Sequence, residues 1–378
     1  MRRIALGFIG TLLLTVAARA GAKEDLQKIW DKGAKALVAK QAADGSWSFD
    51  GKNGDVAATG LAVSGLAGNE AGRGAYTDAI AKGCDYLLKN QAATGEIHNA
   101  GSVPLLTNYK TSIAVMALVA AGRDKYKDAI AKAVTWMSNF QYQEAGPQKA
   151  AATDPNYGGA GYDEKNNQPR GDLSNTGYML EAMHQAGVPQ DSEVWKRALK
   201  FVERCQNRSE SNDGPGFDKL GVVVSDDGGF FYRPGESKAE KETLPNGKQC
   251  FRSYGSMTYA GYKSMIYAGL AKDDPRVKAA LAWIGKHYTL DENPNMGVKG
   301  LFYYYHAFAS ALDAGGVDEI KDAEGETHKW AEDLVKKLGS LQLEDGSWKG
   351  DAKWMEDIQP LPTVYSLMSL NHAAKHVK

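Results

Sequence analysis

Apolar residues recur along most of this chain at the three-and-four spacing of an α-helix, and the helices they predict come in pairs. Between about Lys23 and Lys40, Leu26, Ile29, Trp30, Gly33 and Leu37 share one face. Asp44-Gly45-Ser46-Trp47 breaks the pattern, and Asp55 can cap a second helix carrying Ala58, Leu61, Ala62, Gly65 and Leu66. A glycine inside a helix costs about 1 kcal/mol against alanine. That cost is tolerable where backbones must approach closely. The stretch 41–68, QAADGSWSFDGKNGDVAATGLAVSGLAG, therefore reads as the end of one helix, a Gln-x-x-x-Gly-x-Trp loop and a crowded second helix.

The unit repeats. Tyr76-Thr77-Asp78-Ala79-Ile80-Ala81-Lys82 returns as Tyr126-Lys127-Asp128-Ala129-Ile130-Ala131-Lys132, and Gln91 and Gln141 close the two helices at the same offset. Their apolar partners run from Thr111 to Gly122 and from Ser174 to Gly187. A fourth unit spans Val194 to Gln206 and Tyr254 to Leu270, split by an insertion of about 207–249. In the insertion, Leu220 to Val224 and Gly229 to Tyr232 flank Ser225-Asp226-Asp227-Gly228, which predicts a β-hairpin followed by a charged arm. The fifth unit covers Val277 to Tyr288 and Gly300 to Ala314; the sixth ends on Gln342-Leu343-Glu344-Asp345-Gly346-Ser347-Trp348 and a helix from Thr363 to Ala374.

Six helix pairs of roughly 54 residues each form either an open solenoid or a closed ring. The first and last units share the full Asp-Gly-Ser-Trp loop, whereas solenoid ends carry atypical polar caps. The expectation is an all-α protein: one α/α toroid over 23–378, second helices inside, with a small β-hairpin insertion in the fourth repeat.

Composition adds a leader and removes several partners. Arg2 and Arg3 precede an apolar run from Ile4 to Ala18 and small residues at 18–22, the pattern of a signal peptide over 1–22. Export to the periplasm or beyond is expected, with no membrane span once the leader is removed. Without Arg2, Arg3 and Arg19 the basic count falls from 45 to 42 against 46 acids, a net charge near −4. Nucleic-acid ligands usually show a basic stripe, so nucleic acid is not an expected partner. Of three cysteines, Cys84 falls in an apolar stripe. Cys205 and Cys250 flank the insertion, where a disulfide would contribute roughly 4 kcal/mol by chain entropy; three reduced thiols is the alternative.

Gln41-x-x-x-Gly45-x-Trp47 and Gln342-x-x-x-Gly346-x-Trp348 resemble the QW motifs of squalene–hopene cyclases and other prenyltransferase/squalene oxidase repeat proteins. Gln91-x-x-x-Gly95 is a weakened copy, and Gly228-Gly229-Phe230 resembles another. The likeness covers the mature chain at the level of its repeats. It implies the fold of terpenoid cyclases and protein prenyltransferase β subunits, an α/α barrel with an apolar central cavity. The loop glutamine would satisfy orphan helix carbonyls and the Trp would staple the loop.

The catalytic groups of those families are missing where the resemblance would put them. Class II cyclases use Asp-x-Asp-Asp, whose central acid protonates an alkene or epoxide. Asp172-Leu173-Ser174-Asn175-Thr176 is the nearest match, with Ser174 in the donor's place. Prenyltransferases hold zinc with Asp-x-Cys and a later His. Tyr304-Tyr305-His306 resembles the later segment, but Tyr254-Gly255-Ser256 stands where the pair should be. One histidine cannot hold a catalytic zinc that wants three protein ligands, so no cofactor and no metal are expected. The Gly-Cys-Gly-Glu-Gln motif of complement-type thioester domains is also absent.

Polar and aromatic groups remain at the starts of the inner helices: Asp55, Asn108, Asp172, Arg252, Tyr254, Tyr304 and His306. Asp172, Arg252, Tyr254, Tyr304 and His306 are the candidate cavity-lining set, although Asp55 and Asp172 read equally well as N-caps and His306 as a satisfied core histidine. Two functions fit. One is a non-catalytic exported toroid that binds an apolar small molecule or another protein. The other is an enzyme of altered chemistry on the same fold, either terpenoid cyclase-like or acting on polysaccharides with paired carboxylates in an aromatic cleft.

Overall fold

The computed structural model describes residues 6–101, 106–163 and 170–377. Its helices are α1 (Leu6–Val38), α2 (Val56–Ala67), α3 (Glu70–Ala75), α4 (Thr77–Lys89), α5 (Thr107–Gly122), α6 (Lys127–Phe140), α7 (Leu173–Ala186) and α8 (Glu193–Arg204). They continue with α9 (Phe217–Leu220), α10 (Gly255–Tyr267), α11 (Pro275–Lys286), α12 (Leu301–Ala314), α13 (Trp330–Leu341) and α14 (Leu361–Ala373). The six predicted pairs are all present. Helix α1 carries straight on into the apolar N-terminal segment, yet no helix among the described residues is long and apolar enough to cross a membrane.

Six helices form an inner ring. α2 packs on α5, α5 on α7, α7 on α10, α10 on α12 and α12 on α14, and α14 returns to α2. Closure is what makes the structure a toroid rather than an arc. The inner helices are buried on every side, α2 along its whole length, which is why small residues recur in them. The outer helices bury one stripe only: α8 hides Val194, Trp195, Ala198, Phe201 and Val202, and of its charges buries Arg204, which pairs with Asp213.

The loops explain the repeated glutamine, and they correct its expected role. Gln41 Nε2 donates to Gly45 O in its own loop (3.0 Å) and to Ala79 O in the next outer helix (2.9 Å). Gln91 bonds Gly95 O and Ala129 O, Gln141 bonds Gly158 O and Val194 O, and Gln206 bonds Gly228 O and Arg276 O. Gln342 completes the circle through Gly346 O and Ile29 O of α1 (both 2.9 Å). Each glutamine thus ties its unit to the next and leaves the carbonyls of its own helix end alone. The paired glycine has to be glycine: Gly346 sits at φ +89°, where an added Cβ would lie 2.4 Å from Lys32 O. The tryptophans do staple, Trp47 Nε1 to Leu37 O and Trp348 Nε1 to Leu338 O, both at 2.8 Å.

Two local expectations change. The insertion does not fold as a hairpin over 220–232. Gly228-Gly229-Phe230 is instead the fourth unit's loop, with Phe230 bridged to Gln206. The small sheet is β1 (Val222–Val223), β2 (Lys241–Thr243) and β3 (Gln249–Phe251), in the order β1-β3-β2. β2 and β3 form the antiparallel pair around Pro245-Asn246-Gly247, while β1 joins β3 in parallel. The Asn-Gly turn signal decided the register, and the apolar run 220–224 did not. A second strand pair, β4 (Ile320–Lys321) and β5 (Thr327–His328), joins α12 to α13. Of the two cysteine readings the structure has the reduced one, with no Cys205–Cys250 bridge: Cys84, Cys205 and Cys250 are all buried free thiols. Cys250 turns toward Glu242 (Sγ to Oε1, 3.6 Å).

Candidate functional site

All six inner helices point their N-terminal ends at one chamber of about 510 Å³. Ala57 comes from α2, Tyr109 and Lys110 from α5, Ser174 and Tyr178 from α7, Tyr254 and Met257 from α10, Tyr303 from α12, and Leu361 and Tyr365 from α14. Loop residues close the wall: Tyr162, Tyr232 and Lys238 on one side, Trp354, Met355 and Glu356 on another. Tyr232 and Lys238 belong to the fourth-unit insertion, which therefore builds part of the chamber.

The floor is a cluster of phenols. Tyr109 meets Tyr178 edge-on at 5.2 Å between ring centroids, and Tyr303 meets Tyr365 at 5.9 Å. The Tyr109 and Tyr365 hydroxyls lie 3.5 Å apart, and Tyr303 shares a 2.9 Å hydrogen bond with Ser174. Burial raises all four phenol pKa values, so the rings stay neutral. The Tyr254 hydroxyl is buried with no partner among the described residues. At the mouth, Lys110 pairs with the α2 cap Asp55 at 3.0 Å. Leu106, Tyr162 and Met355 leave apolar surface exposed there.

Glu356 is the chamber carboxyl whose ionisation burial most disfavours. Gly300 caps α12 without a side chain, and Glu356 reaches across from the last loop so that Oε1 accepts the Tyr303 amide at 2.8 Å. Its Oε2 has no partner among the described residues and lies against Gly350 and Phe302. Burial outweighs the bonds from the α12 amides, and the carboxyl is pushed up to about 7. The two residues before it, Trp354 (φ +80°) and Met355 (φ +64°), are left-handed, as is Leu106 (φ +59°) on the same wall. Such non-glycine residues cost of order 1–3 kcal/mol each and gather where a site needs a fixed shape.

The five residues expected to line the cavity divide. Tyr254 lines the chamber. Asp172 lines a side pocket of about 190 Å³ with Arg170 and Arg233, which shares Tyr162, Tyr232 and Lys238 with the chamber. It also caps α7 through the Asn175 amide, and burial raises it to about 6. His306 lies beneath the floor, between Tyr178 and Tyr365. Tyr304 points away: its hydroxyl donates to Thr289 O at 2.7 Å, and Tyr305 bonds Leu290 O. These two pin the fifth loop, the one unit without a glutamine. Arg252 is also outside, pairing across the small sheet with Glu242 at 3.2 Å and half exposed.

The sequence reading missed Tyr109, Tyr178, Tyr365 and Glu356. The first three carry the helical period of core residues, and nothing in their spacing separates a cavity wall from a filled core. Glu356 sits in an aperiodic polar loop, and its environment comes from α12, more than 40 positions away in sequence.

No family model matches the chain, and no curated protein matches it in sequence. Solved structures do share its fold. A variant of the type II terpene cyclase MstE from Scytonema superposes with TM-score 0.57 at 12% identity, over 95% of this chain and 99% of that one. A second variant, in complex with its substrate geranylgeranyl dihydroxybenzoate, gives 0.55 at 13%, over 94% and 99%. A glycosidase variant in complex with glucose gives 0.51 at 12%, over 94% and 97%. The expected likeness to the terpenoid-cyclase toroid therefore holds at the level of fold.

Proposed function

We propose that this toroid binds a small, largely apolar molecule in the chamber at the N-terminal ends of its inner helices. The observation that carries the reading is the lining: aromatic rings and methionines dominate a chamber of about 510 Å³, a size typical of small-molecule sites. Its rim adds exposed Leu106, Tyr162 and Met355, which suit the entry of an apolar ligand. A toroid filled by its own side chains would have favoured a purely protein-binding role. The fold alone does not choose a ligand, since relatives in shape hold a prenylated phenolic acid and a sugar. The phenols, Lys110, Ser174, Lys238 and Glu356 also offer hydrogen bonds to a polar group on the ligand, so the apolar reading rests on the ring faces and methionines.

Within this reading, cyclase chemistry by the usual acid and prenyl transfer by zinc are both absent. Ser174 is hydrogen-bonded to Tyr303, and His306 has no second ligand in Tyr254-Gly255-Ser256. The protein is exported, with residues 1–22 removed, and N-terminal sequencing of the mature protein tests that part. Replacing Met257 with Trp should fill the chamber from α10. Protein purified from its native host should yield an extractable apolar compound by mass spectrometry, and the Met257→Trp variant at least tenfold less. Equal amounts from both, or none from either, would overturn the proposal.

One observation favours an enzyme of altered chemistry as the second reading. Glu356 and Asp172 keep their protons to about pH 7 and 6, so either can act as a proton donor near neutrality. In D2O, proton transfer to an alkene in a host extract would add one deuterium to a product, and Glu356→Gln would suppress it.

A further inference from the structure

Beneath the tyrosine floor, His306 is buried on α12 and neither ring nitrogen has a partner among the described residues. A neutral imidazole carries one donor and one acceptor, and a buried histidine with both unmet needs a group that can meet them. Burial, with the Lys263 charge nearby, pushes its pKa down to about 3. The ring lies between those of Tyr178 and Tyr365, at 6.5 and 5.7 Å between centroids.

A small pocket of about 10 Å³ adjoins it. Its lining includes Ser174, Tyr178 and Tyr303, which are also chamber residues, together with Gly177, Lys263 and His306. The pocket is therefore a pit in the chamber floor. Its volume is about that of one water-sized sphere, room for a hydroxyl oxygen and too little for a ring or a carboxylate. Lys263 is already held by Glu181 Oε2 (2.5 Å) and Ser310 Oγ (2.9 Å). Among the described residues, that leaves the two unpartnered nitrogens of His306, with the unpartnered Tyr178 hydroxyl beside them, to meet a ligand group. A neutral imidazole suits a group that both donates and accepts one hydrogen bond.

We infer that this pit is the polar subsite of the chamber, that His306 receives a hydroxyl group there, and that the ligand is an apolar alcohol. The inference rests on the proposed apolar ligand and narrows its class. A chain or ring system fills the aromatic chamber, and its terminal hydroxyl enters the pit lined by Ser174, Tyr178 and Tyr303 to bond one nitrogen of His306.

Displacement of the neutral fluorophore N-phenyl-1-naphthylamine by farnesol and by the hydrocarbon farnesene, using the mature protein, tests this. The native chain should be displaced by farnesol at about tenfold lower concentration, the worth of one or two buried hydrogen bonds. His306→Phe should erase the difference and leave farnesene unchanged. Gly177→Ala is the second variant, in case the first does not fold. A methyl there meets nothing nearer than Ser264 Oγ at 3.7 Å, and it narrows the pit without touching His306. Farnesol and farnesene acting equally on the native chain would mean that the pit holds only water, and would overturn the inference alone. So would a farnesol preference that survives both variants. If neither compound nor the fluorophore binds, the apolar-chamber reading itself fails, and the inference falls with it.

Discussion

Glu356 is buried with only the first amides of α12 to bond its carboxylate, and burial wins. Its folded pKa, about 7, stands above the ordinary 4.5. A raised carboxyl binds more protons folded than unfolded across that window. Its contribution to stability is therefore fully present below about pH 4.5 and lost as pH rises through 7. The loss is about 3 kcal/mol. Thermal melts of the Glu356→Gln variant should show a flatter profile between pH 5 and 7.5 than the native chain; parallel profiles would refute the assignment. This residue was illegible in the sequence. A lone Glu in a loop acquires its chemistry from the helix end it happens to meet. Tyr254 and His306 were legible as inner-helix residues because the repeat fixed their register. The same register misdirected Tyr304 and Arg252, since position at a helix start does not say which way a side chain turns.

At the scale of the element, the Gln-x-x-x-Gly loop is a joint between neighbouring units. Its two parts can be tested against each other. Gly346 and Gly51 both have positive φ, +89° and +71°, but only Gly346 abuts the backbone of the next outer helix; nothing lies within 4 Å of the Cβ position at Gly51. Gly51→Ala should cost about 1 kcal/mol, the conformational term alone. Gly346→Ala must also move α1 off the loop and should cost at least about 3 kcal/mol in denaturant titrations. Equal costs would show that the loop glycine serves the turn and not the joint. Helix identities and most helix ends were legible here, because the 3.6-residue period is a local signal. The strands of the insertion were not. Two- and three-residue strands carry no period, and β1 finds its partner β3 about 27 positions on.

Over the whole molecule, the ring closes through a few seam bonds. Asn371 on α14 accepts from Trp30 Nε1 on α1 at 2.8 Å and donates to Gly65 O on α2 at 2.9 Å, while Gln342 reaches Ile29 O. In an open array, a change in the last unit would fray that end alone. In a ring, Asn371→Leu leaves a donor and an acceptor unpaired and should shift the whole unfolding transition by about 2–4 kcal/mol with an unchanged denaturant slope. A separate early transition confined to α13 and α14 would argue for an open arrangement. The sequence by itself determined the six helix pairs, the inner and outer assignment and the toroid, because each is written in short-range periodicity and in a loop repeated along the chain. Only the tertiary structure decided the site. A cavity is space left between elements, and the chamber, the raised pKa of Glu356 and the unpartnered His306 exist because six helix ends from distant parts of the chain converge without filling their centre.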